Sequence, residues 1–205
     1  MKSEFIEANI VILGKFNPVI FDKSFFLKND LLQEVNIIEN IFTPNFARIT
    51  TNELIITIDN SQVVIVNKNI LSSLKIKNIA KSIIDISKNE IDIIGFNYKW
   101  FLLIDSIYEC TKNQFYFKEN SLNKHFNSDK TAFGYYISDD YEDSRLKLDI
   151  KPNILQDIRL SKTQNVISFD FNFHIEKKSE TTIENGINNY KLYTDKALKI
   201  VSEYE

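Results

Sequence analysis

Carboxylates and a lysine that could support metal-dependent hydrolysis lie between residues 139 and 151. Asp139 and Asp140 open an acidic stretch, and Asp149 follows with Lys151 two residues after it. In metal-dependent nucleases, carboxylates hold magnesium and a lysine positions the attacking water. Asp139, Asp140, Asp149 and Lys151 are therefore the candidate catalytic residues of a nuclease or phosphodiesterase. The alternative interpretation, a solvated hairpin tip followed by ordinary strand-end charges, is favoured because acidic turns are common.

The residues that usually bind zinc or act as nucleophiles are few and scattered. His125 and His174 are the only histidines and Cys110 is the only cysteine, so the sequence lacks the closely spaced set that zinc needs. Cys110 with either histidine could form a nucleophile–base pair, but a half-buried free thiol is the simpler interpretation. No glycine-rich phosphate loop is present. We expect no metal and no cofactor.

A polar groove is the second candidate site. In the segment 165–176, Ser168, Asp170, Asn172 and His174 alternate with apolar residues, as on the wet face of an antiparallel strand. If this segment shares a sheet with residues 91–104, its polar side chains join those of that strand in one shallow groove for a peptide or small polar ligand. The groove candidates are Asn97, Lys99, Asp170, Asn172 and His174. The alternative is an ordinary solvated sheet face.

The segment 91–104 is the element that must position this groove. Side chains alternate across a strand, so one face carries a single apolar series. That series is Ile94, Phe96, Tyr98, Trp100, Leu102 and Ile104. The aromatic mass predicts a central strand with Tyr98 and Trp100 in the core.

The remaining pattern predicts an α+β fold. Short alternating runs predict an antiparallel meander, and apolar residues at three-to-four spacing predict an amphipathic helix over 75–89. Thr181 and Glu184 match a capping box that would begin a long helix over 182–204. Strands, helix, strands and helix indicate a mostly antiparallel sheet covered by two helices. We expect a single domain, or two pseudo-equivalent halves over 1–90 and 91–205.

Composition narrows the class of protein. The chain has 205 residues, 43% of them hydrophobic, which is enough for a sizeable core. The net charge of -3 gives no basic surplus for general polyanion binding, so a nucleic-acid partner is disfavoured. The single cysteine, the absence of a signal-like N-terminus and the absence of a long apolar run predict a cytoplasmic protein that is not in the membrane.

Two segments resemble a family of bacterial proteins that has no assigned activity. The match covers the opening run 8–21, Ala-Asn-Ile-Val-Ile-Leu-Gly-Lys-Phe-Asn-Pro-Val-Ile-Phe, and the Ile-Gly-Phe-Asn step at 94–97. The resemblance implies a bacterial cytosolic protein. It transfers no catalytic or binding residue to this chain.

Three functions remain open at this point. The first is a non-enzymatic protein-interaction subunit of a bacterial multi-gene system, such as phage defence or toxin–antitoxin, acting through a protein partner or self-association. An α+β sheet with long aromatic-rich strands offers edges for strand addition or dimerisation. The others are the metal-dependent nuclease described above and a small-ligand-binding module that uses the groove.

Overall fold

The computed structural model describes residues 1–69, 73–87, 90–115, 125–126, 128–157 and 162–205. In these residues it contains nine strands and five α-helices. The strands are β1 (Lys2–Gly14), β2 (Ile37–Thr43), β3 (Phe46–Thr51), β4 (Leu54–Asp59), β5 (Gln62–Asn67), β6 (Ile91–Ile104), β7 (Tyr135–Tyr141), β8 (Ser144–Asp157) and β9 (Lys162–Glu176). The helices are α1 (Lys23–Lys28), α2 (Ser73–Ser87), α3 (Ile107–Phe115), α4 (Glu180–Asn188) and α5 (Tyr190–Ser202). Two short 3-10 turns, Pro18–Ile20 and Glu34–Asn36, precede β2.

All nine strands form one antiparallel sheet in the order β2-β3-β4-β5-β1-β6-β9-β8-β7. The predicted α+β class with an antiparallel sheet is therefore confirmed. Residues 1–90 supply the five strands on one side, and residues 91–205 supply the four on the other. The first strands of these two parts, β1 and β6, pair with each other and join the sheet into one layer. The equivalence of the two parts stays a prediction.

The core lies between one face of the sheet and the helices. Trp100 on β6 and Phe171 on β9 are both 2% exposed and contact each other edge to face, with ring centroids 5.7 Å apart. Helices α4 and α5 pack on β6 and β9, whereas α2 packs on β5 and α3 on β8 and β9. The predicted burial of Tyr98 and Trp100 is correct, because the apolar series of β6 faces these helices.

The expectation of two covering helices is not confirmed. The first predicted helix, over 75–89, corresponds to α2 (Ser73–Ser87), and residues 88–89 of the predicted range lie outside the described residues. The second, over 182–204, is two helices that meet at Asn189. The Asn189 backbone N–H donates to the Asn185 carbonyl at 2.9 Å and its carbonyl accepts from Tyr193 at 3.2 Å, so one residue ends α4 and starts α5.

Two features of the second half differ from the sequence-based expectation. The acidic stretch is not a loop, because β7 continues through Tyr141 and only Glu142 and Asp143 form the turn. Glu142 has the positive φ of 52° that such a tight turn requires. Strand β8 also continues past Pro152 to Asp157. The ladder between β7 and β8 ends at Tyr135, opposite Ile150, so Pro152 lies beyond the residues that pair with β7 and its missing N–H breaks no hydrogen bond of that ladder.

The hydroxyl of Tyr98 links the sheet to α5 through hydrogen bonds. It donates to the backbone carbonyl of Tyr190 at 3.3 Å and lies 3.0 Å from Thr194 Oγ1. The Thr194 hydroxyl is also 3.0 Å from the same carbonyl, so its single proton is shared between the two acceptors. Because these groups are buried, their polar atoms depend on one another for hydrogen bonds.

Tyr98→Phe should lower the free energy of unfolding by about 1 kcal/mol, the usual net value of one buried hydrogen-bonded hydroxyl. Urea unfolding followed by circular dichroism measures the change. Tyr136→Phe is the matched control, since Tyr136 is 63% exposed and its loss of a hydroxyl should leave stability unchanged. Equal effects of the two substitutions would contradict the role of the Tyr98 hydroxyl.

Three core tyrosines should make the fold sensitive to alkali. Burial, followed by the charges of neighbouring tyrosines, raises the pKa of Tyr98 well above its usual value, and burial raises the pKa of Tyr190 and Tyr193 to about 12. The unfolded chain ionises these groups near pH 10. The contribution of these three tyrosines to the free energy of unfolding is therefore complete below pH 10. It is lost as the pH rises from 10 towards 12, because the unfolded state then releases protons that the folded state retains. Urea midpoints across this interval should fall steadily; a constant midpoint would contradict the prediction.

Candidate functional site

The strongest candidate site is a shallow cleft on the face of the sheet opposite the core. Its volume is about 390 Å³ and strands β1, β6, β9 and β8 supply its floor. These strands bury every second side chain against the helices, so the alternate side chains must point into the cleft. The lining polar residues are Glu7, Asn9, Asn97, Lys99, Tyr136, Lys147, Asp149, Asp170 and Asn172.

Three asparagines form a hydrogen-bonded ladder across the cleft floor. Asn9, Asn97 and Asn172 lie directly opposite one another on β1, β6 and β9. The Asn172 amide donates to Asn97 Oδ1 at 2.6 Å, and the Asn97 amide donates to Asn9 Oδ1 at 2.7 Å. Each asparagine is only partly exposed, so the ladder fixes the orientation of all three amides.

A row of charged residues lies two residues further along β1, β6 and β9, on the same face of the sheet, and continues onto β8. The register places Glu7 opposite Lys99, Lys99 opposite Asp170 and Asp170 opposite Asp149. Lys99 Nζ is 3.3 Å from Asp170 Oδ1, so this lysine balances one of the two facing aspartates.

The other aspartate is balanced by Lys151 on its own strand. The Nζ atom of Lys151 is 2.5 Å from Asp149 Oδ2. This hydrogen bond and the charge of Asp149 raise the pKa of Lys151, with a smaller contribution from Asp170. Because Lys151 is exposed, the interaction keeps the lysine charged and adds little stability.

The cleft is electrically neutral as a whole. Its lining carboxylates are Glu7, Asp149 and Asp170, and its lining ammonium groups are Lys99 and Lys147. Lys151 lies outside the lining and adds the third ammonium group through its contact with Asp149. Three negative charges are thus matched by three positive charges. Such a surface attracts neither polyanions nor polycations by its net field, and it discriminates among ligands through local hydrogen bonds and paired charges.

The structure brings together four of the five groove residues expected from the sequence. Asn97, Lys99, Asp170 and Asn172 line the cleft. His174 lies on the same face of β9 but outside this cleft, opposite Arg145, with its Nε2 3.4 Å from Glu176 Oε1.

The four residues of the nuclease hypothesis do not lie together in the structure. Asp149 lines the cleft and Lys151 contacts it from outside the lining, but Asp140 pairs with Arg145 at 2.9 Å near the hairpin turn. Along β7, Asp140 is four residues from Tyr136, the residue opposite Asp149, a separation of about 13 Å. Asp139 lies opposite Leu146, on the other face of the strand. The carboxylate beside Asp149 is Asp170, which the hypothesis did not include.

Metal-ligating side chains do not gather elsewhere in the described residues either. Within that part of the chain, no three or more histidine, cysteine, aspartate or glutamate residues are grouped so that they could hold a metal ion. Cys110 Sγ lies 3.8 Å from Met1 Sδ, and burial raises the pKa of its thiol. His125 lies in an exposed turn.

Sequence reasoning missed the contribution of β1. Residues 8–13 are an apolar run and predict a strand buried on both faces, whereas Glu7 and Asn9 belong to the cleft. The polar residues at alternate positions 7 and 9 were the available signal. The sequence did not indicate Tyr136 or Lys147. Tyr136 lies opposite Asp149 because of the β7–β8 register, and Lys147 lies opposite Asn172 because of the β8–β9 register.

No protein-family model and no curated protein matches the sequence. The bacterial family resemblance at residues 8–21 and 94–97 therefore stays a prediction. In the described part of the chain, no helix combines the length and the apolar character needed to cross a bilayer.

Magnesium at about ten millimolar should shift the melting temperature by less than about 2 °C, the limit for a cation that binds no tighter than that concentration. The reason is that Lys99 and Lys151 already balance Asp170 and Asp149. Thermal unfolding with and without the ion measures the shift. A larger increase in the melting temperature with magnesium would favour the nuclease hypothesis if Asp149→Ala abolishes it. The control Asp129→Ala, at an exposed carboxylate, should then keep the increase.

Proposed function

We propose that this protein is a non-enzymatic interaction subunit of a bacterial cytosolic multi-gene system, of the defence or toxin–antitoxin type, and that it binds a protein partner over the cleft face of its sheet. The observation that carries the proposal is the asparagine ladder beside the charged row. Both rows cross several strands and present polar groups in fixed positions on a partly exposed surface.

The ends of the ladder define the chemistry of the partner. Inside the ladder Asn172 uses its Nδ2 and Asn9 uses its Oδ1, so the outermost groups of the row are an acceptor, Asn172 Oδ1, at one end and a donor, Asn9 Nδ2, at the other. A polypeptide backbone offers both a donor and an acceptor in every residue, so it complements such a row. The neutral balance of the surrounding charges suits a polypeptide of mixed charge better than a nucleic acid.

A small polar ligand is the second candidate. The cleft volume of about 390 Å³ lies within the range of small-molecule sites, and convergent polar groups line it. The cleft is shallow and open, so it would enclose less of a small ligand than the roughly 70–90% that is typical of such sites, which is why the protein partner is preferred. The two functions differ in whether a nucleotide or metabolite panel alone raises the melting temperature.

The proposal is tested by expressing the tagged chain together with its flanking genes. We expect the product of a flanking gene to co-purify with the wild type, and Lys99→Glu to reduce its yield at least tenfold, because the substitution places a third carboxylate beside Glu7 and Asp170. Lys191→Glu is the matched control. It reverses the same charge at an exposed position of α5 and should still co-purify with the partner.

Isolation of the wild-type chain without either flanking-gene product would contradict the protein-partner proposal. Equal recovery with Lys99→Glu and Lys191→Glu would contradict the placement of the interface on the cleft. A metabolite that raises the melting temperature of the wild type and not of Lys99→Glu would support the second candidate instead.

A further inference from the structure

We propose that β2 is a self-association edge, at which two copies of this chain pair their β2 strands antiparallel across a two-fold axis and extend the sheet. The inference is independent of the cleft and of its proposed partner. In the described part of the chain, β2 ends the sheet order and pairs only with β3. Its outer backbone groups are therefore available to another strand.

The composition of β2 leaves this edge open to pairing with another strand. A free edge is commonly protected by lysine, proline, inward-pointing charge or a bulge. Ile37–Thr43 contains neither lysine nor proline, only Glu39 is charged, and the one register shift against β3 lies at the start of the strand, between Ile37 and Glu39. Ile38 and Ile41 are 64% and 43% exposed, and nearby Val35 is 87% exposed. The opposite edge, β7, carries Asp139 and Asp140 and is protected in the usual way.

The strand sequence selects one two-fold register. A pairing centred on Asn40 places Glu39 opposite Ile41 of the second copy and spans β2 from Ile37 to Thr43, across the register shift between Ile37 and Glu39. A pairing centred on Glu39 places two glutamates opposite each other, which is repulsive, and matches only residues 37–41. A pairing centred on Ile41 matches only residues 39–43. Of the three, the register centred on Asn40 is the one that places Glu39 of the second copy opposite Ile41, and it avoids the like-charge contact.

Arg48 supplies the charge that complements the second copy. It lies on β3 directly opposite Ile41, and its buried Nε has no hydrogen-bond partner among the described residues. In the Asn40-centred register, Arg48 on β3, Ile41 on β2 and Glu39 on β2 of the second copy lie side by side across three neighbouring strands. The Cα atoms of Arg48 and this Glu39 would be two strand spacings, about 10 Å, apart, a gap that the two long side chains close together. Symmetry forms this ion pair twice.

The test is a charge-reversal experiment by sedimentation at micromolar concentrations. We expect the wild type to be a dimer, and Glu39→Arg and Arg48→Glu each to weaken the dimer at least about tenfold by placing like charges in the row. An equimolar mixture of the two variants should restore dimers, because the native Arg48 of one variant then meets the native Glu39 of the other, and the two introduced side chains also carry opposite charges. Within either single chain the charges remain alike, so only an intermolecular pair explains the rescue.

Asp139→Arg, the same charge reversal on the β7 edge, is the matched control and should leave the dimer intact. Thermal unfolding of each variant establishes that the chain is folded. A monomeric wild type, unchanged dimerisation of folded Glu39→Arg, failure of the mixture to form dimers, or dissociation by Asp139→Arg would each overturn the proposal.

Discussion

The pairing of β1 with β6 is the interaction on which the rest of the structure depends. Each strand is the first of its part of the chain, and their antiparallel ladder joins five strands on one side to four on the other. On one face the ladder places Ile10 opposite Phe96 and Ala8 opposite Tyr98, which begin the core. On the other face the same register places Asn9 opposite Asn97, so core and cleft follow from one alignment.

The two faces of the sheet differ in what they contribute. Burial of large aromatic side chains such as Trp100 supplies roughly 1.5–3 kcal/mol for each residue, and these rings contact α5 and one another. The exposed ion pairs of the cleft contribute about 0–1 kcal/mol each, because solvent screens them. The ion pairs of the cleft therefore contribute little to the free energy of unfolding, in contrast to the aromatic core on the other face.

Several local structures depart from the pattern of their sequence because distant strands decide them. Pro152 should end a strand, but the pairing of β8 with β7 stops at Ile150, so the missing N–H of Pro152 disrupts no hydrogen bond of that ladder and β8 continues. Asp139 and Asp140 resemble a loop by composition, yet pairing with Leu146 and Arg145 draws them into β7. A single amphipathic stripe predicted one C-terminal helix, whereas the chain turns at Asn189 so that α4 and α5 each pack on the sheet.

The sequence by itself determined the fold class, the interior position and buried face of β6, the alternation of β9 and four residues of the cleft. These follow from period and composition, which act over a few residues. Only the tertiary structure decided that Glu7 and Asn9 join the cleft, that Asp170 and not Asp140 lies beside Asp149, and that β2 is an edge. The physical reason is that strand order and register are set by pairing between segments far apart in the chain, and a one-residue change of register would send every side chain to the opposite face.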